Sequence, residues 1–480
     1  MFSLTGTNLT IEGLDPSCGA AWQVVTADMC RIALTVKTSP SSEISMEAWL
    51  PRNWTGRFLS VGNGGLGGCI SYGDMAYTMS QGFASVGANN GHNGTTVKTL
   101  LNNTESTADF AYRSVHTGVV VGKRITEMFY GQPYTKSYYF GCSSGGRQGF
   151  KEAQDFPADF DGIVAGAPAH AMGNLTSWAG HFYPLTGNVT SPRFVPKARW
   201  PLIWRDVYSQ CDGLDGAVDG VIETAECCHY DPSGLVCKGG QTKDCLTGEQ
   251  AEAVRKIYSP LLDNHGNFVY PAMNPGSEDN TAFLWFSGAP VSLSYELARY
   301  IYFKDSEWDP ATLKPSDYPY FWAKNPFGLN AWNGDLSLFR NRGGKVITYH
   351  GQMDSVITSG ISETYYEHVS RSMQSSPKEL DEFYRFFRIG GMNHCALGPG
   401  AWNFGQAGPT AHMDADHNVL EAIARWVEQG IAPETLTGTK YVNDTVSIGE
   451  EFQRKHCRYP FHNVYRGGDP KDSEAWSCVE

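Results

Sequence analysis

Two cysteines placed beside two candidate reactive residues constrain this chain more than any other feature. Ser143 stands at the centre of a Gly-Cys-Ser-Ser-Gly motif at residues 141–145, next to Cys142, and His394 is followed directly by Cys395. The motif is typical of a nucleophile elbow, the sharp turn between a strand and a helix that presents a serine. If the two cysteines pair, their Cα atoms lie about 4.4–6.8 Å apart, and the fold must bring the serine and the histidine together.

Composition places the chain among ordinary globular proteins. Its 480 residues are 41% hydrophobic and 18% charged, so the chain can bury a large core. A net charge of -13 leaves no basic surface to attract phosphate backbones, and we therefore expect no nucleic-acid partner. No apolar run approaches the roughly 18 residues of a membrane helix, so we expect no membrane span. The sequence does not indicate an oligomeric state.

Cysteines and glycosylation sequons together predict a secreted, extracellular glycoprotein. The chain has 12 cysteines, an even number that is typical of disulfide pairing in the secretory pathway. Residues 1–4 lack the charged start and apolar stretch of a signal peptide, and we expect that any signal has been trimmed or replaced. The N-x-S/T sequons are at Asn8, Asn53, Asn93, Asn102, Asn174, Asn188 and Asn443.

Hydrophobic patterning predicts an α/β fold that is interrupted by an insertion. Strands are predicted at residues 47–51, 57–62, 82–87, 137–140, 345–351 and 383–389, and helices at 108–130 and 417–429. Between these halves the alternation is lost, and Trp, Tyr, Phe, Pro and Gly become frequent. We therefore predict a catalytic domain of residues 1–168 and 335–480, with residues 169–334 inserted as a lid domain.

The chain order of three residues predicts a catalytic triad. A serine hydroxyl is a poor nucleophile without a base and an orienting acid. Asp354 follows one predicted strand and His394 follows the next, and the order Ser, Asp, His is typical of the α/β-hydrolase fold. We predict Ser143 as nucleophile, Asp354 as acid and His394 as base. Asp317 and Asp335 are alternative acids, but neither follows a strand so directly.

Two segments are candidates for the oxyanion-binding N–H groups. The first is Ser144, at the start of the elbow helix. The second is the glycine-rich loop at residues 63–68, with Gly64 and Gly65, which resembles the HGGG-type loops of esterases. A phosphate-binding loop is the alternative, but no Lys-Ser/Thr pair follows the glycines.

An acidic, glycine-containing segment at residues 212–223 predicts a structural calcium site within the lid. Hard cations such as Ca²⁺ take six to eight oxygen ligands, and glycines let a loop wrap around the ion. An acidic turn without an ion is the alternative interpretation. Zinc bound by the Cys227-Cys228-His229 cluster is not expected, because cysteines pair with each other in an oxidising setting.

Aromatic residues are concentrated in the second half of the insertion. A lid of this kind can stack on a flat ring of a substrate, but most of these residues are expected to form the insertion's own core. We expect two or three of them to contact ligand. The residues are Phe283, Trp285, Phe286, Tyr318, Tyr320, Phe321, Trp322, Phe327 and Trp332.

Taken together, the Cys142-Ser143 pair, Asp354 and the His394-Cys395 pair resemble the CS-D-HC pattern of the tannase and feruloyl esterase family. The resemblance covers nearly the whole chain. It implies Ca²⁺ bound by Asp212, Asp215, Asp219 and the carbonyl groups of Ala217 and Val221. It also implies the disulfides Cys142–Cys395, Cys211–Cys228, Cys237–Cys245 and Cys457–Cys478. The pairing of Cys18, Cys30, Cys69 and Cys227 stays open.

The resemblance implies a secreted serine carboxylesterase that acts through an acyl-enzyme. The expected substrates are feruloyl and p-coumaroyl esters of plant cell-wall polysaccharide, including xylan. A tannase acting on galloyl esters, or a related aromatic-acid esterase, is the alternative, and we favour feruloyl esterase because no internal processing segment is found. From another class, a hydrolase-like fold can serve as a binding module after losing its chemistry, but the filled triad positions argue against this.

Overall fold

The computed structural model describes residues 2–480 and is organised around one large β-sheet. The strands are β1 Phe2–Ser3, β2 Asn8–Thr10, β3 Trp22–Val24, β4 Met29–Ser39, β5 Ser42–Pro51, β6 Arg57–Val61, β7 Ala84–Ala88, β8 Lys136–Cys142, β9 Gly162–Gly166, β10 Leu261–Leu262, β11 Phe268–Tyr270, β12 Lys345–Gly351, β13 Tyr384–Ile389, β14 Thr435–Tyr441, β15 Glu450–Cys457, β16 His462–Tyr465 and β17 Trp476–Val479.

Helices cover the sheet and build the insertion. The α-helices are α1 Tyr72–Ser80, α2 Thr104–Ala108, α3 Ser114–Tyr130, α4 Ser144–Asp155, α5 Met172–Thr186, α6 Trp200–Cys211, α7 Gly248–Ile257, α8 Glu278–Leu284, α9 Ser292–Glu296, α10 Tyr318–Lys324, α11 Ser337–Asn341, α12 Gly360–Met373, α13 Pro377–Leu380 and α14 Val419–Gln429. Within residues 2–480, no helix combines the length and the apolar character that crossing a bilayer requires.

The large sheet has nine strands in the order β1-β4-β5-β7-β6-β8-β9-β12-β13. The first four strands in this order pair antiparallel, and the pairs from β7 to β13 are all parallel. Parallel neighbours need crossover connections, which the helices between these strands supply. This architecture is the predicted α/β-hydrolase fold.

Helices pack on both faces of the sheet because successive side chains of a strand point to opposite sides. Tyr138 of β8 lies in the core beneath α1 and α14, and the adjacent Tyr139 lies in the core beneath α3, α4 and α12. Both tyrosines are fully buried. On the first face Ile423 of α14 is likewise fully buried, and a buried side chain of this size contributes about 1.5–3 kcal/mol.

Residues between β9 and β12 supply most of a hydrophobic core that lies apart from the two faces of the sheet. The rings of Trp200 and Phe286 stack there with centroids 4.6 Å apart, and Trp285, Tyr318 and Phe321 are buried with them. The same core includes residues of the sheet half, such as Leu66. Most of the aromatic residues singled out in the sequence therefore have a packing role, and the domain boundaries themselves stay a prediction.

Five disulfides connect residues of the described chain. They include the four that the family resemblance implies, Cys142–Cys395, Cys211–Cys228, Cys237–Cys245 and Cys457–Cys478. A fifth joins Cys18 to Cys69. Among residues 2–480, Cys30 and Cys227 have no disulfide partner, so an even number of cysteines does not mean that every cysteine is paired.

Candidate active site

Ser143 lies in a strained turn between β8 and α4. Its backbone angles are φ 65° and ψ -123°, a conformation that a non-glycine residue holds only when its surroundings fix it. Three hydrogen bonds supply that fixation: the Ser143 N–H donates to the Gly166 carbonyl at 2.9 Å, and the Ser143 carbonyl accepts from the N–H groups of Arg147 at 3.0 Å and Ala169 at 3.2 Å. The turn is the nucleophile elbow that the motif predicts.

Two glycines allow the close approach that this turn requires. A Cβ atom at Gly146 would lie 2.3 Å from the Gly166 carbonyl oxygen, and one at Gly62 would lie 2.7 Å from the Cα of Gly145. Contacts this short with backbone atoms are sterically forbidden. Helix α4 can therefore lie directly against β6 and β9 only if both positions lack a side chain.

Asp354 and His394 are joined by a hydrogen bond beyond the ends of β12 and β13. The Nδ1 atom of His394 lies 2.7 Å from Oδ2 of Asp354. The second carboxylate oxygen, Oδ1, accepts from the backbone N–H groups of Val356 and Ile357, at 2.8 Å each. Asp354 is fully buried, whereas the His394 side chain is 20% exposed. The structure thus brings together the acid and the base predicted from chain order.

The surroundings of Asp354 keep it ionised. Burial alone raises the pKa of Asp354, but the charge of His394 and the hydrogen bonds from His350 and His394 outweigh burial and hold the pKa well below its usual value. A carboxylate of this kind can accept a hydrogen bond from His394 throughout the neutral pH range. Neither alternative acid, Asp317 or Asp335, appears among the hydrogen-bond partners of His394 in the described chain.

The disulfide Cys142–Cys395 connects the elbow to the histidine segment. Its two Cα atoms are 6.0 Å apart, although the cysteines are separated by 253 positions in sequence. Each cysteine directly adjoins Ser143 or His394. The bridge therefore limits how far the serine and the histidine can move apart.

Ser143 and His394 line one cavity of about 250 Å³. Its walls are mainly apolar and come from three sources: the glycine-rich loop, helix α5 with the segment after α8, and the segment after Asp354. The lining residues are Gly65, Leu66, Ser143, Ser144, Ala169, Met172, Leu175, Thr176, Ala179, Trp285, Leu293, Leu297, Val356, Ile357 and His394. Such a cavity suits a flat, largely apolar group next to a reacting carbonyl.

The predicted oxyanion loop is held against the elbow. Ser144 Oγ donates to the Gly65 carbonyl at 2.6 Å, and Gly65 has a positive φ of 58°, which glycine adopts without strain. As the first residue of α4, Ser144 has an N–H without an intrahelical acceptor. Gly65 and Ser144 line the cavity, whereas Gly64 does not. The assignment of these residues as oxyanion donors stays a prediction.

Sequence patterns did not identify most of the cavity wall. Met172, Leu175, Thr176 and Ala179 of α5 line it, but no catalytic motif marks these residues in the sequence. Of the nine aromatic residues singled out in the insertion, Trp285 contributes to the wall. His350, four residues before Asp354, is fully buried, and the sequence gives no signal that it contacts the predicted acid.

The predicted calcium segment contains buried carboxylates with little neutralising charge. Asp212 and Asp215 are 6% and 5% exposed, and their partners in the described chain are backbone N–H groups. Burial is the main cause that raises the pKa of Asp215, to about 7, and the nearby charge of Glu223 adds to it. Arg454 pairs with Asp219 at 3.1 Å and also with Glu223.

The segment offers carboxylate and backbone carbonyl oxygens, the ligand type that a hard cation takes, and the calcium site stays a prediction. No three acidic side chains of the segment offer oxygens within 4.8 Å of one another among residues 2–480, so backbone carbonyls such as those of Ala217 and Val221 would have to complete a coordination shell. Gly216 and Gly220, both at positive φ, allow the tight turns by which such a loop can wrap around an ion.

A separate group of side chains has the spacing of metal ligands, which the acidic side chains of the predicted calcium segment lack. His116, Glu152 and Asp159 place donor atoms within 4.8 Å of one another. His116 lies 2.7 Å from Asp159, and burial raises the pKa of Glu152 well above its usual value. The ammonium group of Lys123 contacts the backbone carbonyl of Asp159. The ammonium group of Lys123 and the raised pKa of Glu152, which favours its neutral form, account for the group without an ion.

Comparison with known proteins identifies the family. The sequence profile described as Tannase and feruloyl esterase matches residues 30–292 and 326–479. This chain belongs to the tannase and feruloyl esterase family. Feruloyl esterase C of Talaromyces stipitatus is 50% identical over 477 residues, which cover 99% of this chain and 90% of the relative. Probable feruloyl esterase B-2 of Aspergillus oryzae is 51% identical with the same coverage.

Solved structures agree with this membership. Feruloyl esterase B from Aspergillus oryzae has a TM-score of 0.97 and 47% identity, covering 100% of this chain and 95% of that one. Tannin acyl hydrolase from Aspergillus niger has a TM-score of 0.75 at 22% identity, covering 99% of this chain and 89% of that one, and so shares the fold. The predictions of a tannase and feruloyl esterase family member and of a carboxylic ester hydrolase are confirmed.

The disulfide beside the site can be tested by removing it. We expect the double variant Cys142→Ser/Cys395→Ser to lose at least ten-fold in kcat at temperatures where it is still folded, because the serine and the histidine are no longer held together. Loss of a native disulfide also costs about 2–5 kcal/mol of stability. Steady-state kinetics with circular dichroism on the same samples gives both quantities.

The matched control is Cys237→Ser/Cys245→Ser, which removes a bridge between residues only 8 positions apart in the insertion. We expect this control to keep wild-type kcat. Equal kcat for the two double variants would contradict a positioning role for Cys142–Cys395.

The lowered pKa of Asp354 predicts how stability depends on pH. In unfolded chains an aspartate has a pKa of about 3.9, so the folded, ionised carboxylate contributes stability above about pH 4 and loses it as the pH falls toward the folded value. We expect Asp354→Asn to be less stable than wild type at pH 7 and the difference to shrink at pH 3. Urea unfolding at both pH values measures it, and a constant difference would contradict the prediction.

Proposed function

We propose that this protein is a secreted feruloyl esterase that hydrolyses hydroxycinnamate esters of plant cell-wall polysaccharide. The observation that carries the proposal is the meeting of an elbow serine and an Asp354–His394 pair at one apolar cavity. The relatives named feruloyl esterase, at about half identity over nearly the full chain, support the same substrate class. Five disulfides support secretion, with feruloylated polysaccharide outside the cell as the substrate.

In the proposed first half-reaction, Ser143 attacks the ester carbonyl carbon. His394 accepts the Ser143 hydroxyl proton, and Asp354 keeps the imidazole oriented and stabilises its positive charge. The new C–O bond to Oγ turns the carbonyl oxygen into an oxyanion, for which Ser144 and Gly65 N–H groups are the proposed donors. One such donor contributes about 2.7–4 kcal/mol at the transition state. The C–O bond to the alcohol then breaks, and His394 protonates the leaving oxygen.

The second half-reaction hydrolyses the acyl-enzyme on Ser143. Water enters where the alcohol has left, and His394 accepts a proton as the water oxygen attacks the acyl carbon. When the tetrahedral species collapses, the bond to Oγ breaks, and His394 returns the proton to Ser143. The products are a free hydroxycinnamic acid and the hydroxyl group of the sugar.

The character of the cavity favours hydroxycinnamoyl over galloyl groups. Leu66, Met172, Leu175, Leu293 and Leu297 are among its walls, whereas the Thr176 hydroxyl already donates to the Met172 carbonyl at 2.8 Å. A galloyl ring carries three hydroxyl groups, and burying a hydroxyl without a partner costs about 1–3 kcal/mol. Feruloyl and p-coumaroyl rings carry one hydroxyl each, so tannase activity is the less favoured alternative.

A panel of methyl esters tests the substrate class. We expect kcat/KM for methyl ferulate and methyl p-coumarate to exceed that for methyl gallate by at least ten-fold, because the apolar walls leave galloyl hydroxyls without partners. Initial-rate assays with the three esters measure this ratio. Preference for methyl gallate would reject the assignment in favour of a tannase.

Ser143→Ala is the control for the panel, because it removes the nucleophile. It should abolish turnover of all three esters while the circular dichroism spectrum stays unchanged.

We also propose a structural Ca²⁺ bound by Asp212, Asp215, Asp219 and the carbonyl groups of Ala217 and Val221. The support is the pair of buried carboxylates described above, which a divalent cation would neutralise. The segment lies between the disulfide-bonded Cys211 and Cys228 and contacts Arg454 of β15. A bound ion would therefore stabilise the contact between the insertion and the C-terminal strands.

Removal of calcium should lower stability without changing the chemistry. We expect EGTA to lower the melting temperature and Ca²⁺ to restore it, since a ligand present at 100 times its Kd contributes about 2.7 kcal/mol. Asp215→Asn should abolish the response. Asp244→Asn, an exposed position in the same insertion, should keep it. A melting temperature of wild type that does not respond to EGTA would contradict the proposal.

A further inference from the structure

We infer that His350 is a positioning residue for the catalytic acid Asp354, an inference that rests on the proposed function. His350 is the penultimate residue of β12 and is fully buried. Its Nε2 atom lies 3.1 Å from Oδ2 of Asp354, the same oxygen that faces His394. Its Nδ1 atom lies 2.8 Å from Oγ of Ser362 on α12. One carboxylate oxygen of the acid is thus shared by two imidazole rings.

The partners of His350 assign its neutral tautomer. Nε2 faces two acceptors, Oδ2 of Asp354 and the Ile357 carbonyl oxygen at 2.8 Å, neither of which can donate, so Nε2 carries the proton. Nδ1 then accepts from the Ser362 hydroxyl. His350 therefore donates to the carboxylate of Asp354, and the Ser362 hydroxyl of helix α12 holds the imidazole in that orientation.

Without His350, Oδ2 would have His394 as its one remaining hydrogen-bond donor in the described chain, although Oδ1 would stay fixed by the N–H groups of Val356 and Ile357. Rotation of the carboxylate about its Cβ–Cγ bond would then be opposed by His394 alone at Oδ2, in addition to the two N–H groups on Oδ1. The hydrogen bond that Oδ2 accepts from His394 fixes the orientation of the imidazole. A rotation of the Asp354 carboxylate would therefore displace the base from Ser143. The donor on His350 restrains this rotation.

His350 also affects the charge balance of the site. A donor to Oδ2 stabilises the negative charge of Asp354 and makes the carboxylate a weaker partner for the protonated imidazole of His394. Removing that donor strengthens the remaining Asp354–His394 pair and shifts the protonation of His394 to higher pH. The other titratable groups that face the pair are Tyr270, near Asp354, and His170, near His350.

Two amide substitutions that differ by one methylene group test the inference. His350→Gln keeps an N–H donor at the distance of Nε2, whereas the shorter His350→Asn does not reach Asp354. We expect Asn to lower kcat about 10- to 100-fold with KM within two-fold, and to move the acid limb of the pH profile of kcat upward by about half a unit. We expect Gln to restore kcat to within about five-fold and to keep the wild-type acid limb.

Ser362→Ala removes the outer hydrogen bond and keeps the donor, so the inference remains testable if His350 variants do not fold. We expect kcat to fall two- to five-fold with the thermal unfolding transition retained. Wild-type kcat in Ser362→Ala, when neither His350 variant folds, would overturn the inference. So would an Asn variant with wild-type kcat and acid limb, or equal losses in Asn and Gln.

Labelling of Ser143 by a serine-directed phosphonate separates this inference from the substrate assignment. The reagent reports the Ser143–His394–Asp354 unit whichever ester the enzyme prefers. Slower labelling of His350→Asn than of His350→Gln supports positioning even if hydroxycinnamates prove to be poor substrates. Equal labelling of both variants and the wild type would refute it, and absence of any labelling of the wild type would refute the proposed function as well.

Discussion

The covalent link between Cys142 and Cys395 is the constraint on which the candidate site depends. The elbow ends β8 and the histidine follows β13, and two further strands, β9 and β12, lie between them in the sheet. Parallel strands bring their carboxyl ends to one edge, which places serine, aspartate and histidine on the same side. The sheet places the three residues along one edge, and the disulfide limits the remaining distance between the elbow and the histidine segment.

The sequence predicted the residues with local signals better than those that depend on distant contacts. The runs that became β8, β12 and β13 are rich in aromatic and β-branched residues. Each leads into a predicted triad position, so the fold and the candidate triad could be predicted from chain order. The wall formed by α5 has no such signal, because apolar residues such as Met172 and Leu175 are common on the buried face of any helix. Their place in the cavity wall depends on the tertiary structure. The C-terminal hairpins β14–β15 and β16–β17 were missed for the same reason: they are defined by pairing with each other.

Pairing of cysteines shows the same limit. The disulfide between Cys18 and Cys69 joins two segments that no sequence motif links. In the described chain Cys30 and Cys227 have no disulfide partner, and this depends on the folded structure. His350 illustrates a different limit of sequence-based prediction. Its position four residues before Asp354 is visible in the sequence, but a histidine in a buried strand is usually a packing residue. Its role emerges only when Ser362 and Ile357 are placed around it.

One residue of helix α5, Thr176, is part of both the cavity wall and a glycosylation sequon. Thr176 belongs to the wall of the reaction cavity, and the same residue completes the glycosylation sequon that begins at Asn174. An enzyme engineer who replaces Thr176 with valine to make the cavity more apolar would therefore also erase an acceptor for an N-linked sugar. Serine at this position would preserve the sequon while enlarging the cavity, whereas a substitution of Asn174 would remove the sequon and leave the cavity wall unchanged.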